Sequence, residues 1–263
     1  MHSCLKPLSL FVATSLAISG SGVAQAQGSL PKEVLLEKAR HSFDNYMLGE
    51  FEAASLARIQ KAAFPDNWNR MRENFANTAT DKLQGKIGQA EAQQRYAQII
   101  QQSFAEVEAE IEADRATLAR APLPQLVTWE SALAQQVTAH LAVNPKGCTL
   151  AAVLQKPATP ADTMTKLDLV GAYWNAYGQA KAAPVSRQLG EFFEGDIETL
   201  DSSLAAAGMP DASRHSIVRS GKLVDFGGLG CKDRLTLSKV LLSIGGDVQG
   251  RLLAHAITRA EIE

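Results

Sequence analysis

Three cysteines, five histidines and an aromatic content of 6 % are all that this chain of 263 residues holds of the residue types that most often carry chemistry. No Cys-x-x-Cys pair is present for dithiol redox work, and no Cys-x-x-Cys-His for covalent haem. Neither His-Glu-x-x-His nor the Glu-x-x-His of di-iron bundles occurs. After residue 26 there is no Gly-x-Ser-x-Gly elbow to anchor serine hydrolase chemistry. Charge of neither sign dominates: 26 basic residues face 28 acidic ones, a net charge of −2. A nucleic-acid or anionic-lipid partner is disfavoured by that balance. Beyond the first 26 residues no apolar run approaches the roughly 20 residues of a bilayer-spanning helix.

What is there begins with an export signature. Lys6 precedes the apolar stretch Leu8 to Ile18, and small residues lead to Ala24-Gln25-Ala26. That order is the basic region, apolar core and cleavage site of a secretory signal peptide. Its core of about 11 residues is too short to remain as a membrane anchor. Cys4 lies before the core, the wrong side for a lipid-modified first residue. Residues 1–26 are therefore expected to be removed, leaving a soluble chain from about Gln27 in the periplasm or outside the cell, with no stable membrane anchor. Loss of Lys6 leaves 25 basic against 28 acidic residues, a net charge of −3. About 237 residues suit one large domain or two small ones.

Removal of Cys4 leaves Cys148 and Cys231, and two cysteines of one exported domain usually pair in an oxidising compartment. Closing a loop of about 83 residues would stabilise the fold by roughly 4 to 5 kcal/mol in the simple loop model.

Helix formers fill most windows and β-branched clusters are sparse, so the fold expected is all-α, a bundle of about seven to nine helices with one disulfide-tethered glycine-rich loop. Apolar faces are expected from Val34, Leu35, Phe43, Tyr46 and Met47 behind Pro31. A helix from Phe51 towards Phe64 stops at Pro65. The next is capped by Asp66 or Asn67 and buries Trp68, Met71, Phe75 and Leu83. After Gly88 the stripe Tyr96, Ile100, Phe104, Val107, Ile111 and Leu118 is the clearest in the chain. Ala121-Pro122-Leu123-Pro124 is the best candidate boundary, dividing an N-terminal part, 27–120, from a C-terminal part, 121–263.

Beyond it, Leu126, Trp129, Leu133, Val137 and Leu141 mark a helix ending at Asn144-Pro145. Two bundle helices then span Met164 to Ala182 and Val185 to Ala207. The first carries Leu167, Val170, Trp174 and Tyr177, the second Leu189, Phe193, Ile197, Leu200 and Leu204. Gly208-Met209-Pro210 turns the chain. Gly221 to Cys231 is non-helical, with a short strand expected over Lys222 to Phe226. The last helix starts near Lys232, with Gly245-Gly246 as its weak point.

No candidate constellation is compelling. Glu106, Glu108, Glu110, Glu112 and Asp114 form the densest acidic run, but helical geometry spreads them over two flanks as a solvated face. Glu37 with His41, and Asp211 with His215, lie one helical turn apart and read as simple ion pairs. His255 continues a core stripe. His140, eight residues before Cys148, would serve a thiol nucleophile only if that cysteine were free. The Gly-Gly-Leu-Gly-Cys-Lys-Asp loop lacks the spacing and the Ser or Thr of a nucleotide site. Tyr173, Trp174 and Tyr177, with Phe192 and Phe193, concentrate the aromatics as core or as the wall of an apolar pocket. No metal or cofactor is implied.

The leading expectation is a non-enzymatic envelope protein that binds a protein partner or a small apolar ligand. A first alternative is an envelope hydrolase acting on cell-wall or other exported polymers, with Asp196 or Glu198 meeting Asp225 in a cleft. A second is an inhibitor or immunity-type protein that blocks an envelope enzyme. Intact mass of the exported protein is expected to start near Gln27, with two thiols alkylated only after reduction. An uncleaved chain, or a cysteine alkylated without reductant, would overturn the stapled, exported reading.

Overall fold

A computed structural model describes residues 30–49, 51–143, 159–185, 193–219, 222–223 and 229–259. Ten helices and one antiparallel ladder of two short strands make up these residues. The all-α class expected from composition holds, and the helices exceed the expected number. The chain divides into two compact units that part between Glu110 and Ile111, ten residues before the boundary expected at Arg120.

The first unit holds α1 (Lys32–Gly49), α2 (Phe51–Ala63), α3 (Pro65–Leu83) and the first part of α4 (Gln89–Leu118). Leu35, Phe43, Met47, Trp68, Met71, Phe75, Tyr96, Ile100 and Phe104 are buried. Phe43 is the hub of an aromatic column, its ring centroid 5.3 Å from Trp68 and 5.0 Å from Phe75, which in turn stacks on Tyr96 at 4.8 Å. Val34 and Leu83, assigned to buried faces by spacing, are exposed. Each stands at or near an end of its helix, where no neighbour covers it.

Helix α3 is not capped by Asp66 or Asn67. Its N-cap is Phe64, with Pro65 in the first turn and no side-chain cap. Proline suits that place because its missing N–H would have had no intrahelical acceptor. Asn67 is thereby carried into the helix and buried against α4, where its amide donates to Glu106 at 2.8 Å and accepts from the Ser103 hydroxyl at 2.6 Å.

The second unit holds the end of α4, then α5 (Leu123–Val143), α6 (Pro160–Ala182), α7 (Glu194–Ala206), α8 (Asp211–Ile217), β1 (Val218–Arg219), β2 (Lys222–Leu223), α9 (Cys231–Ile244) and α10 (Gly246–Arg259). Helix α6 begins earlier than expected because Thr159 caps it, accepting from the Asp162 N–H, with Pro160 at the first position. The ladder pairs Val218 with Leu223 and Arg219 with Lys222. The rest of the strand expected to Phe226 lies outside the described residues, as do Asn144 to Leu154, Leu189, Phe192, Asp225, and Gly221, Gly227 and Gly228 of the glycine loop. Cys231 opens α9 and is buried. No disulfide pair lies within the described residues, since Cys4 and Cys148 both fall outside them.

Two features raise the helix number. Asp211 to Ile217 forms a short helix after Pro210, and the single terminal helix expected from Lys232 is two helices broken at Gly245. Gly245 has φ 75° and ψ 170°, a region closed to side chains, and Gly246 follows at φ 63°. The carbonyls left open at the end of α9 are met by Gln249, whose buried amide donates to Leu241 O at 2.9 Å and Leu242 O at 3.1 Å. Leu200, Leu204, Ile217, Leu237, Leu241 and Leu252 are fully buried within this unit. Each contributes about 1.5–3 kcal/mol.

Nothing lies within 4 Å of a Cβ built at Gly245 or Gly195, so only backbone conformation separates their alanine variants. Gly245→Ala is expected to lower stability by about 1–3 kcal/mol. Gly195→Ala, in the first turn of α7, is expected to be neutral or slightly stabilising. Urea unfolding of both variants checks the contrast, and equal midpoints would refute it.

Candidate functional site

Most side chains singled out from the sequence are engaged in pairing rather than gathered in a cleft. Asp196, the acid expected to serve a hydrolase, is 3 % exposed. Arg251 of α10 binds it through two hydrogen bonds, Nε to Oδ2 and Nη2 to Oδ1, each 2.7 Å. The Phe193 N–H adds a third at 3.2 Å, so the carboxylate also closes the start of α7. Arg251 holds the Asp196 carboxyl below its usual range, against the opposing effect of burial. A carboxylate so held is not a proton donor at neutral pH, and it can attack nothing without breaking the pair. Glu198 is exposed on the same helix, and Asp225 lies outside the described residues.

Phe193, placed inside by spacing, is 55 % exposed, and the Arg251 guanidinium lies over its ring at 5.1 Å. The reason is that α7 starts only at Glu194, so Phe193 sits on the helix cap and not on the inward stripe.

The helical-turn pairs also resolve differently from expectation. Glu37 takes Arg40 at 3.2 Å as its ion-pair partner. Asp211 takes Arg214 at 2.5 Å, while the His215 ring meets the Asp211 carbonyl and not its carboxylate. His140 is buried and His255 half-buried.

The acidic run on α4 is not uniformly a solvated face. Glu106 is half-buried and accepts from Asn67 at 2.8 Å, Arg70 at 2.8 Å and Gln102 at 2.9 Å. It ends a buried polar chain in which Gln60 donates to the Ser103 hydroxyl at 2.7 Å and Ser103 donates to Asn67. Asp114, in the second unit, accepts from the Tyr177 hydroxyl at 3.2 Å and pairs with Lys181 at 2.8 Å. Neither acid is available as half of a catalytic pair.

What the second unit does bring together is an aromatic cluster with a polar edge. Trp129 of α5 meets Tyr173 at 5.8 Å and Tyr177 at 5.3 Å, and Trp174 lies 5.3 Å from both tyrosines. Trp174 and Tyr177 are buried, whereas Trp129 and Tyr173 keep some solvent access. Directly beside Trp129, Glu130 is 9 % exposed and lies 3.8 Å from Arg234 Nη2 of α9, an ion pair longer than a hydrogen bond. Glu130 Oε1 and Trp129 Nε1 are both buried without a hydrogen bond. Burial pushes the Tyr173 phenol up to about 12, and its hydroxyl responds to Trp129, Glu130 and Arg234 together.

Trp129 and Glu130 were missing from the aromatic and acidic constellations expected. A signal was present: Leu126, Glu130, Leu133 and Val137 run at spacings of four, three and four, which puts a carboxylate inside an apolar stripe. Arg234 carried no such mark.

Among the described residues no group of three or more His, Cys, Asp or Glu is arranged to hold a metal ion, and no helix is long and apolar enough to cross a membrane. No family model, curated protein or solved structure matches this chain.

The Asp196–Arg251 pair carries a defined pH dependence. Since the folded carboxyl lies below the unfolded value of about 3.9, its contribution is full above that pH and is lost as pH falls through the folded value. Asp196→Asn is expected to cost about 3 kcal/mol at pH 7, because Arg251 loses its partner in a mostly buried site. The difference should shrink as pH falls below the unfolded carboxyl value and through the lower folded one. Denaturant unfolding at both pH values checks this, and a pH-independent difference would refute it.

Proposed function

We propose that this chain is an exported, non-enzymatic protein of the bacterial envelope that binds a small, mostly apolar ligand at the α5–α6 aromatic cluster. One observation carries the reading: Trp129 and Tyr173 remain accessible at a ring cluster whose edge holds polar atoms with unused hydrogen-bonding capacity. Apolar walls with a few convergent polar groups are the make-up of small-molecule sites. A protein partner at the same surface is the wider form of this reading.

Export is supported by the signal-like order of residues 1–26. With Cys4 removed in the leader, Cys148 is the partner proposed for Cys231, tethering the glycine-rich loop that precedes α9. The hydrolase alternative would require Asp196 to leave Arg251 and the start of α7, and no observation favours that.

Titration of the exported, cleaved protein with the fluorescent apolar probe N-phenyl-1-naphthylamine tests the proposal. Saturable binding is expected, weakened about tenfold or more by Trp129→Ala. Phe193→Ala, at an exposed ring outside the cluster, should leave it unchanged. Non-saturable uptake, or binding indifferent to Trp129→Ala, would overturn the reading.

A further inference from the structure

Only Gly245 separates α9 from α10, and α10 begins at once with Gly246. Both have positive φ, 75° and 63°, so the bend uses backbone conformations that other residues rarely take. Glycine also accepts helical φ at modest cost, so the same two residues can carry an unbroken helix from Cys231 to Arg259. Backbone bonding does not forbid it. In the bent chain the Gln249 amide donates to Leu241 O at 2.9 Å and Leu242 O at 3.1 Å. In a straight helix those carbonyls accept the N–H groups of Gly245 and Gly246, four residues on, and neither is left unmet.

What straightening removes is the seat of α10. In the bent chain α10 lies against α5, α7 and α9, with Leu252, Leu253 and Ala256 buried. Arg251 makes its two 2.7 Å bonds to Asp196 of α7. Extended along the axis of α9, the 14 residues of α10 reach about 21 Å past the break. Its apolar side and its guanidinium then lose their partners. A second copy in the same form lacks the reverse: its α5 and α7 are uncovered, and its Asp196 has no arginine. Each copy supplies what the other lacks, and the arrangement closes after two chains.

We propose that the partner for this surface of α5 and α7 is a second copy of the chain, with α10 exchanged between the two. In each copy α9 and α10 form one helix, α10 docks on α5 and α7 of the other, and Arg251 of one copy pairs with Asp196 of the other. The docking contacts are those of the bent chain, so protein concentration and the backbone at the break decide between the two forms. Gly245 and Gly246 hold that balance, since they permit the bend and their weak helix propensity opposes the straight form.

The double variant Gly245→Ala/Gly246→Ala disfavours the bend and favours the helix, and is expected to tighten the dimer about a hundredfold or more. Size-exclusion chromatography with light scattering over a dilution series of the exported protein reads this. The double variant should have twice the chain mass at concentrations where wild type is monomeric. A folded double variant that stays monomeric would overturn the proposal. Exchange is separated from simple surface association by Asp196→Arg and Arg251→Asp, each of which sets like charges together within its own chain. Refolded as a mixture, the two chains recover both ion pairs only by exchanging α10, because each α10 then meets the opposite charge on the other chain's α7. Native mass spectrometry should find a one-to-one heterodimer that neither chain forms alone. Absence of that heterodimer would overturn exchange, whether or not the double glycine variant folds or dimerises.

Discussion

The second unit depends on how α5 is packed. Helices α6, α9 and α10 all lie against it, so more than one of its faces is withdrawn from water. A helix covered on one side can keep its polar residues outside, but one covered on several cannot. Glu130, Gln136 and His140 are buried as a result. Gln136 is accommodated by donating to Leu169 O at 2.9 Å, a bond that also ties α5 to α6. Among the described residues Arg234 lies opposite Glu130, at a distance that gives attraction but no hydrogen bond. From this one constraint follow the aromatic contacts toward α6, the ion pair toward α9 and the unused polar capacity at their junction.

The first unit treats the same difficulty differently. Gln60, Ser103 and Asn67 are buried between α2, α3 and α4, yet they form a directed chain in which each donor finds the next acceptor. The chain ends on Glu106, whose charge is balanced by Arg70 where the network reaches the surface. Polar groups buried in such a chain fix the register of neighbouring helices, because a slip by one residue would leave several of them unsatisfied at once. The first unit thus links its buried donors through to the surface, although Gln60 Oε1 and Thr80 Oγ1 stay without a hydrogen bond there.

The apolar skeleton was legible in the sequence wherever a helix has one buried face. Tyr96, Ile100, Phe104, Val107, Ile111 and Leu118 are all buried, as are Leu167, Val170, Trp174 and Tyr177. Periodicity failed at ends and caps. Phe193 and Leu83 obey the stripe but stand at the ends of their own helices, and Asn67 looked like a cap because the geometry of Phe64 and Pro65 has no side-chain signature. Gly245-Gly246 was visible as a weakness, yet a complete break depends on φ values that only the folded chain displays. Pairing was the least legible feature. Asp196 with Arg251 and Glu130 with Arg234 are separated by 55 and 104 positions, and nothing local marks either arginine as a partner.

These two ion pairs separate by what each does for the fold. Asp196 completes the first turn of α7 and ties it to α10 through two short bonds, so removing it would disturb two helices. Glu130 closes no helix end and makes no hydrogen bond through Oε1. A buried ion pair of that quality is weak evidence for stability, since desolvating both charges costs as much as their attraction returns, and well-packed apolar residues of similar volume would serve the core equally well. Stability therefore accounts for Asp196 and does not account for Glu130.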